Sequence, residues 1–113
     1  MHEMSIAEGV LGIIEETARR EGANAIRAVR LEIGQLAAVE IPALRFCFES
    51  VVRGSIAEGA RLEIDEAPGQ AWCFGCCASV PLASRVDACP RCGSHQLQVS
   101  GGTQMRVKDL EIA

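Results

Sequence analysis

Two C-x2-C pairs separated by twelve residues, Cys73-Phe74-Gly75-Cys76 and Cys89-Pro90-Arg91-Cys92, constrain this chain more than anything else in it. A two-residue gap lets one tight turn aim both thiolates at a single ion, and a hairpin between the pairs brings the second turn over the first. Four thiolates in tetrahedral array suit zinc, at about 2.3 Å per bond. Iron in a rubredoxin-like cage is the competing ion, because Cys89-Pro90-Arg91-Cys92-Gly93 suits either metal. A dithiol redox pair is the weakest reading, since the motif is doubled. Four protein ligands close the coordination shell and leave no position for water or substrate, so the expected role is a structural staple. Gly75 and Gly93 give the turns backbone freedom, and Pro90 stiffens the second. Cys77 adjoins the cage as a bystander thiol within reach of ligand exchange. Trp72, the sole tryptophan, is expected to pack the base of this unit.

Around the cysteines the composition shifts. Residues 1–69 carry twelve acids and seven bases, whereas 70–99 hold only Arg85, Arg91 and Asp87. The expected organisation is an acidic α/β host, residues 1–69 completed by a strand from 100–113, with a zinc-binding subdomain at 70–99. The whole chain of 113 residues has a net charge of −4, which argues against a nucleic-acid partner bound through a basic surface. No apolar run approaches the roughly 20 residues that span a bilayer, so no membrane partner is expected. Met1-His2-Glu3 has no basic n-region, so a cytoplasmic chain is expected, with cysteines that serve metal rather than disulfides.

Periodicity supplies the host. Ser5 and Glu8 form a capping-box pattern, and Ile6, Val10, Ile13, Ile14 and Thr17 or Ala18 recur at helical spacing before Gly22, predicting a helix over 5–21. Val29, Leu31 and Ile33 alternate with Arg30 and Glu32, predicting a strand that ends at Gly34. A second helix starts near Pro42 and closes at Gly54, with an inner face of Leu44, Cys47, Phe48, Val51 and Val52. Cys47 there reads as a small hydrophobe. Leu62 and Ile64 mark a second strand. Met105, Val107, Leu110 and Ile112 mark a third, with a phase change after Val107 that suggests a bulge. The fold class is therefore α+β: two helices on a small three-stranded sheet, with an inserted zinc-ribbon-like subdomain.

The amino terminus is chemically unusual. The amine of Met1, the backbone nitrogen of His2 and the His2 imidazole can close fused chelate rings around one ion, and planar nitrogen donors favour nickel(II) or copper(II) over zinc. Glu3 adds an amide and a carboxylate. A cation at a helix start opposes the helix dipole, so such a site is exchangeable unless acids offset that field. Glu40, just before the second helix, is the extra acid best placed to do so, and it reads equally well as a helix-start carboxylate. The bland alternative is a solvated tail in which His2 binds nothing. His95, three residues after Cys92, reads as a surface histidine beside the cage. Gly54-Ser55-Ile56-Ala57-Glu58-Gly59-Ala60-Arg61 has the glycine spacing of a phosphate loop without its lysine and Ser/Thr. No nucleophile is paired with a base, so the chain reads as a carrier, not an enzyme.

These residues resemble a known family. Met1-His2-Glu3, Leu31-Glu32-Ile33-Gly34, Arg45-Phe46-Cys47-Phe48-Glu49 and the paired C-x2-C motifs together resemble the HypA/HybF hydrogenase maturation proteins, across the whole chain. The resemblance implies a nickel metallochaperone for [NiFe]-hydrogenase, with nickel at Met1, His2, Glu3 and Glu40 and structural zinc at Cys73, Cys76, Cys89 and Cys92. It implies delivery to the hydrogenase large subunit with a GTPase partner, HypB, and some members serve urease; a homodimer is compatible with it. Glu40 stands where relatives carry aspartate. Gly93 follows the second cysteine pair where some relatives have histidine, so a histidine-linked zinc rearrangement is not carried over. The rival readings are a zinc-ribbon adaptor for a protein partner, with an inert amino terminus, and a nucleic-acid-binding ribbon, which four thiolates around a divalent ion would make still less basic.

Overall fold

The computed structural model describes residues 2–113. In chain order the elements are α1 (Glu3–Glu21), β1 (Ile26–Gly34), α2 (Ile41–Val51), β2 (Arg61–Ala67), β3 (Gln70–Cys73), β4 (Ala78–Pro81), β5 (Leu97–Gly101) and β6 (Met105–Ile112). Two three-stranded sheets form, in the orders β2-β1-β6 and β4-β3-β5. The chain divides into two compact units. One holds the residues up to Leu31, Val39–Ile64 and Arg106–Ala113; the other holds Glu32–Ala38 and Asp65–Met105. This second unit is wider than the cysteine segment of 70–99 at both ends.

In the first unit α1 packs against α2. Ala7, Val10, Ile14 and Ala18 are the buried stripe of α1. At about 100° per residue Ile13 falls well off that stripe, and it is half exposed where the sequence placed it inside. The helix also begins earlier than its capping-box signal. His2 occupies the cap position without a side-chain bond, and Ile6 donates its N–H to the His2 carbonyl at 3.1 Å, leaving Ser5 inside the first turn. Gly22 closes α1 in the left-handed region, at φ 67°. Leu44 and Phe48 of α2 are buried, with Val52 just beyond its end, while Cys47 and Val51 are only half-buried.

Val29, Leu31 and Ile33 of β1 are buried, and Arg30 lies on the opposite face. There Arg30 reaches Asp109 at 2.8 Å, Glu111 at 3.4 Å and Glu63 at 3.6 Å, tying all three strands. Glu63 Oε2 is shielded from solvent with no hydrogen-bond partner among the described residues, and the guanidinium groups of Arg30 and Arg61 each lie 3.6 Å from it. β6 runs antiparallel to β1, since Gly34 N–H donates to Gln104 O at 2.7 Å near one end and Ala113 N–H donates to Ala25 O at 3.1 Å near the other. Val107 and Leu110 are both half-buried with Lys108 and Asp109 exposed between them, the phase change read from the sequence.

In the second unit β3 pairs antiparallel with both neighbours, Trp72 facing Ser79 on one side and Gln98 on the other. Alternation on β3 turns Ala71 and Cys73 inward. Trp72 must then point outward, and it is 39% exposed rather than packed under the cage. Leu36, Ala71 and Leu82 form one buried cluster with Leu97 and Val99 against it; Cys73, Val80 and Cys89 form a second. Leu36 belongs here because its N–H donates to Gly102 O at 2.7 Å and Gln35 N–H donates to Ala67 O at 2.8 Å. Gly102, at φ 83°, lies so close to Gly69 that a Cβ would sit 2.5 Å from the Gly69 Cα.

Candidate metal centres

Cys73 ends β3, Cys76 follows in the turn, and Cys89 and Cys92 come from the knuckle that precedes β5. Their four sulfurs all lie within 4.8 Å of one another. Cys73 Sγ is 3.6 Å from Cys92 Sγ, and Cys76 Sγ is 3.8 Å from Cys89 Sγ. A tetrahedron with metal–sulfur bonds of about 2.3 Å has edges of about 3.8 Å, which these two contacts match. The backbone supports it. Cys76 N–H points at Cys73 Sγ and Arg91 N–H at Cys89 Sγ, each at 3.4 Å. Burial pushes the Cys89 thiol up, but the N–H groups of Cys92 and Arg91 outweigh it and hold it at about 6. Hydrogen bonding to Cys92, then burial, pushes Cys76 up to about 12. Cys77 stands outside, exposed, with its sulfur 3.6 Å from the Phe74 carbonyl. His95 is exposed as well.

The second group lies where α1 and α2 begin. Glu3 Oε2 accepts the Glu40 N–H at 3.2 Å, and Glu40 Oε2 accepts the Ala43 N–H at 2.8 Å. That Glu40 N–H is the main reason the Glu3 carboxyl lies below the usual carboxylate range. Glu40 is therefore the helix-start carboxylate that Pro42 announced, and it is also beside Glu3. His2 is exposed at the head of α1. Met1 lies outside the described residues. Among the described residues only the four cysteines bring three or more ligating side chains within 4.8 Å. His2, Glu3 and Glu40 are neighbours rather than a closed side-chain cage, so a clamp here needs main-chain nitrogen. The bond from Glu40 to Glu3 spans 37 positions and has no local sequence signal.

The glycine-spaced segment after α2 has an outcome of its own. Gly54 N–H donates to Glu58 Oε1 at 3.1 Å, so a carboxylate occupies what a phosphate would need.

A small α+β unit joined in one chain to a four-cysteine cage marks a metal-binding protein. The family model described as hydrogenase/urease nickel incorporation, metallochaperone, hypA matches residues 1–112, and the chain belongs to this HypA family. The hydrogenase maturation factor HypA of Azotobacter vinelandii is 62% identical over 112 residues, covering 99% of each chain. The HypA of Dechloromonas aromatica is 58% identical over the same length, again covering 99% of each. The solution structure of the Ni metallochaperone HypA from Helicobacter pylori superposes with a TM-score of 0.69 at 25% identity, covering 99% of this chain and 97% of that one. A second HypA solution structure gives 0.70 at 27% identity, covering 100% and 97%. No helix among the described residues is long and apolar enough to cross a membrane.

Proposed function

We propose that this chain carries nickel(II) at its amino terminus and delivers it to the large subunit of [NiFe]-hydrogenase, acting with the HypB GTPase and catalysing no turnover of its own. The nitrogens of Met1 and His2 form the clamp, with Glu3 and Glu40 as the neighbouring acids. Cys73, Cys76, Cys89 and Cys92 would hold zinc, which supplies a permanent cross-link for a unit with a small core. The observation that supports the nickel reading is that exposed His2 precedes Glu3, whose carboxylate is bonded to Glu40, in a compact unit that contains none of the cage cysteines. Two carboxylates there offset the unfavourable field of a helix start. An open, nitrogen-rich site exchanges its ion, whereas the closed sulfur cage retains one.

The test is a nickel competition titration against a chelator. His2→Ala weakens nickel binding more than about 100-fold while zinc content and the far-UV spectrum stay as in the wild type. Undiminished nickel affinity in His2→Ala, or nickel displacing zinc from the cage, contradicts the assignment and leaves the zinc-ribbon adaptor in its place.

A further inference from the structure

Glu3 and Glu40 do more than lie close together. Glu40 precedes α2, so its N–H is outside the helical ladder and needs an acceptor from elsewhere. Glu3 supplies it, from the first turn of α1, at 3.2 Å. Glu40 in turn holds the first turn of α2 twice, through Oε2 to Ala43 N–H at 2.8 Å and through its carbonyl to Leu44 N–H at 3.0 Å. The α1 end of this chain of bonds is lightly held, since His2 caps α1 without a side-chain bond. Charge-assisted bonds run in sequence from the residue next to His2 to the opening turn of a different helix.

We propose that Glu3 and Glu40 form a relay that reports nickel loading of the amino-terminal segment to the first turn of α2. The proposal rests on the terminal nickel reading given above. A cation gathered by the nitrogens of His2 lies one residue from Glu3 and competes for its carboxylate. When that carboxylate turns to the cation, the Glu40 N–H loses its acceptor and the start of α2 loosens. Loaded and empty protein then differ at a surface that a partner can read, without any movement of the sulfur cage. Glu3 is in this sense a positioning residue that acts through the Glu40 backbone.

Residue-resolved hydrogen exchange on the full, zinc-loaded chain tests this. Without nickel, Glu3→Ala speeds exchange at the Glu40 amide about tenfold, whereas Glu3→Gln, whose side-chain carbonyl still accepts, changes it less than about threefold. Nickel(II) added to the wild type speeds exchange at Glu40 by about the same tenfold factor and leaves Val10 and Ile14 of α1 unchanged. Unchanged Glu40 exchange in wild type that has bound nickel overturns the relay and leaves the terminal nickel site standing. Nickel affinity that survives His2→Ala overturns the nickel reading, and the relay falls with it.

Discussion

At the residue scale, Glu3 carries a charge that the fold uses. Its carboxyl lies below the usual range chiefly because the Glu40 N–H donates to it, so the folded state favours the ionised form. A depressed folded-state pKa means that the contact is fully present above the ordinary carboxylate value of about 4.3 and is lost as pH falls through the lower folded value. The Glu40 amide proton should therefore shift in an NMR pH titration with a midpoint below 4.3, and Glu3→Gln should abolish that step. A midpoint at or above the ordinary value would contradict the bond. Neither partner announces this pairing in the sequence. Glu40 before Pro42 was legible as a helix-start acid, but the donor that meets Glu3 is a backbone group 37 positions away. Trp72 teaches the complementary lesson. Its size suggested a packing role, while its place one residue before an inward-facing cysteine on a strand settled that it points out.

Elements were legible where periodicity ran long and were misplaced where a tertiary contact overrode a local signal. The Ser5–Glu8 box marked α1 but not its start, because the first turn is recruited by Glu3 to meet the chain ahead of α2. β6 was legible as a returning strand because an apolar face needs cover, and its burial slips phase between Val107 and Leu110 as the sequence does. The link between β5 and β6 was only partly legible. Gly101-Gly102 signalled a turn, but not that Gly102 sits at φ 83° with its Cα hydrogens facing the backbone of Pro68 and Gly69. A Cβ there would lie 2.6 Å from the Pro68 carbonyl oxygen, and backbone cannot swing aside as a side chain can. Gly102→Ala should therefore destabilise the fold by about 3 kcal/mol in urea denaturation. A loss below about 1 kcal/mol would show that the close approach is relaxed in solution.

For the whole molecule, the cysteines divide the labour of folding. The cage spacing was fully legible, and the four sulfurs stand within 4.8 Å as C-x2-C geometry demands. The extent of the unit they serve was not, since Leu36 joins its buried cluster from the far side of α2 in sequence. Burial in that unit is modest, so zinc should contribute much of its stability. Stripping zinc with a strong chelator should raise amide exchange through β3, β4 and β5 while the helical signal of α1 and α2 persists. Loss of both together would show that the units fold as one. Zinc loading should also release protons, because a thiol binds the ion as its thiolate. At the proposed terminal clamp, nickel binding should likewise weaken as pH drops, since an amine and an imidazole bind a metal only in their deprotonated forms.

X-ray absorption at the nickel edge, on zinc-loaded wild-type protein carrying one added equivalent of nickel, tests the central division most directly. Nitrogen and oxygen donors alone, including an imidazole, are the predicted first shell. A shell containing sulfur would place the transferable ion in the cage and contradict the account.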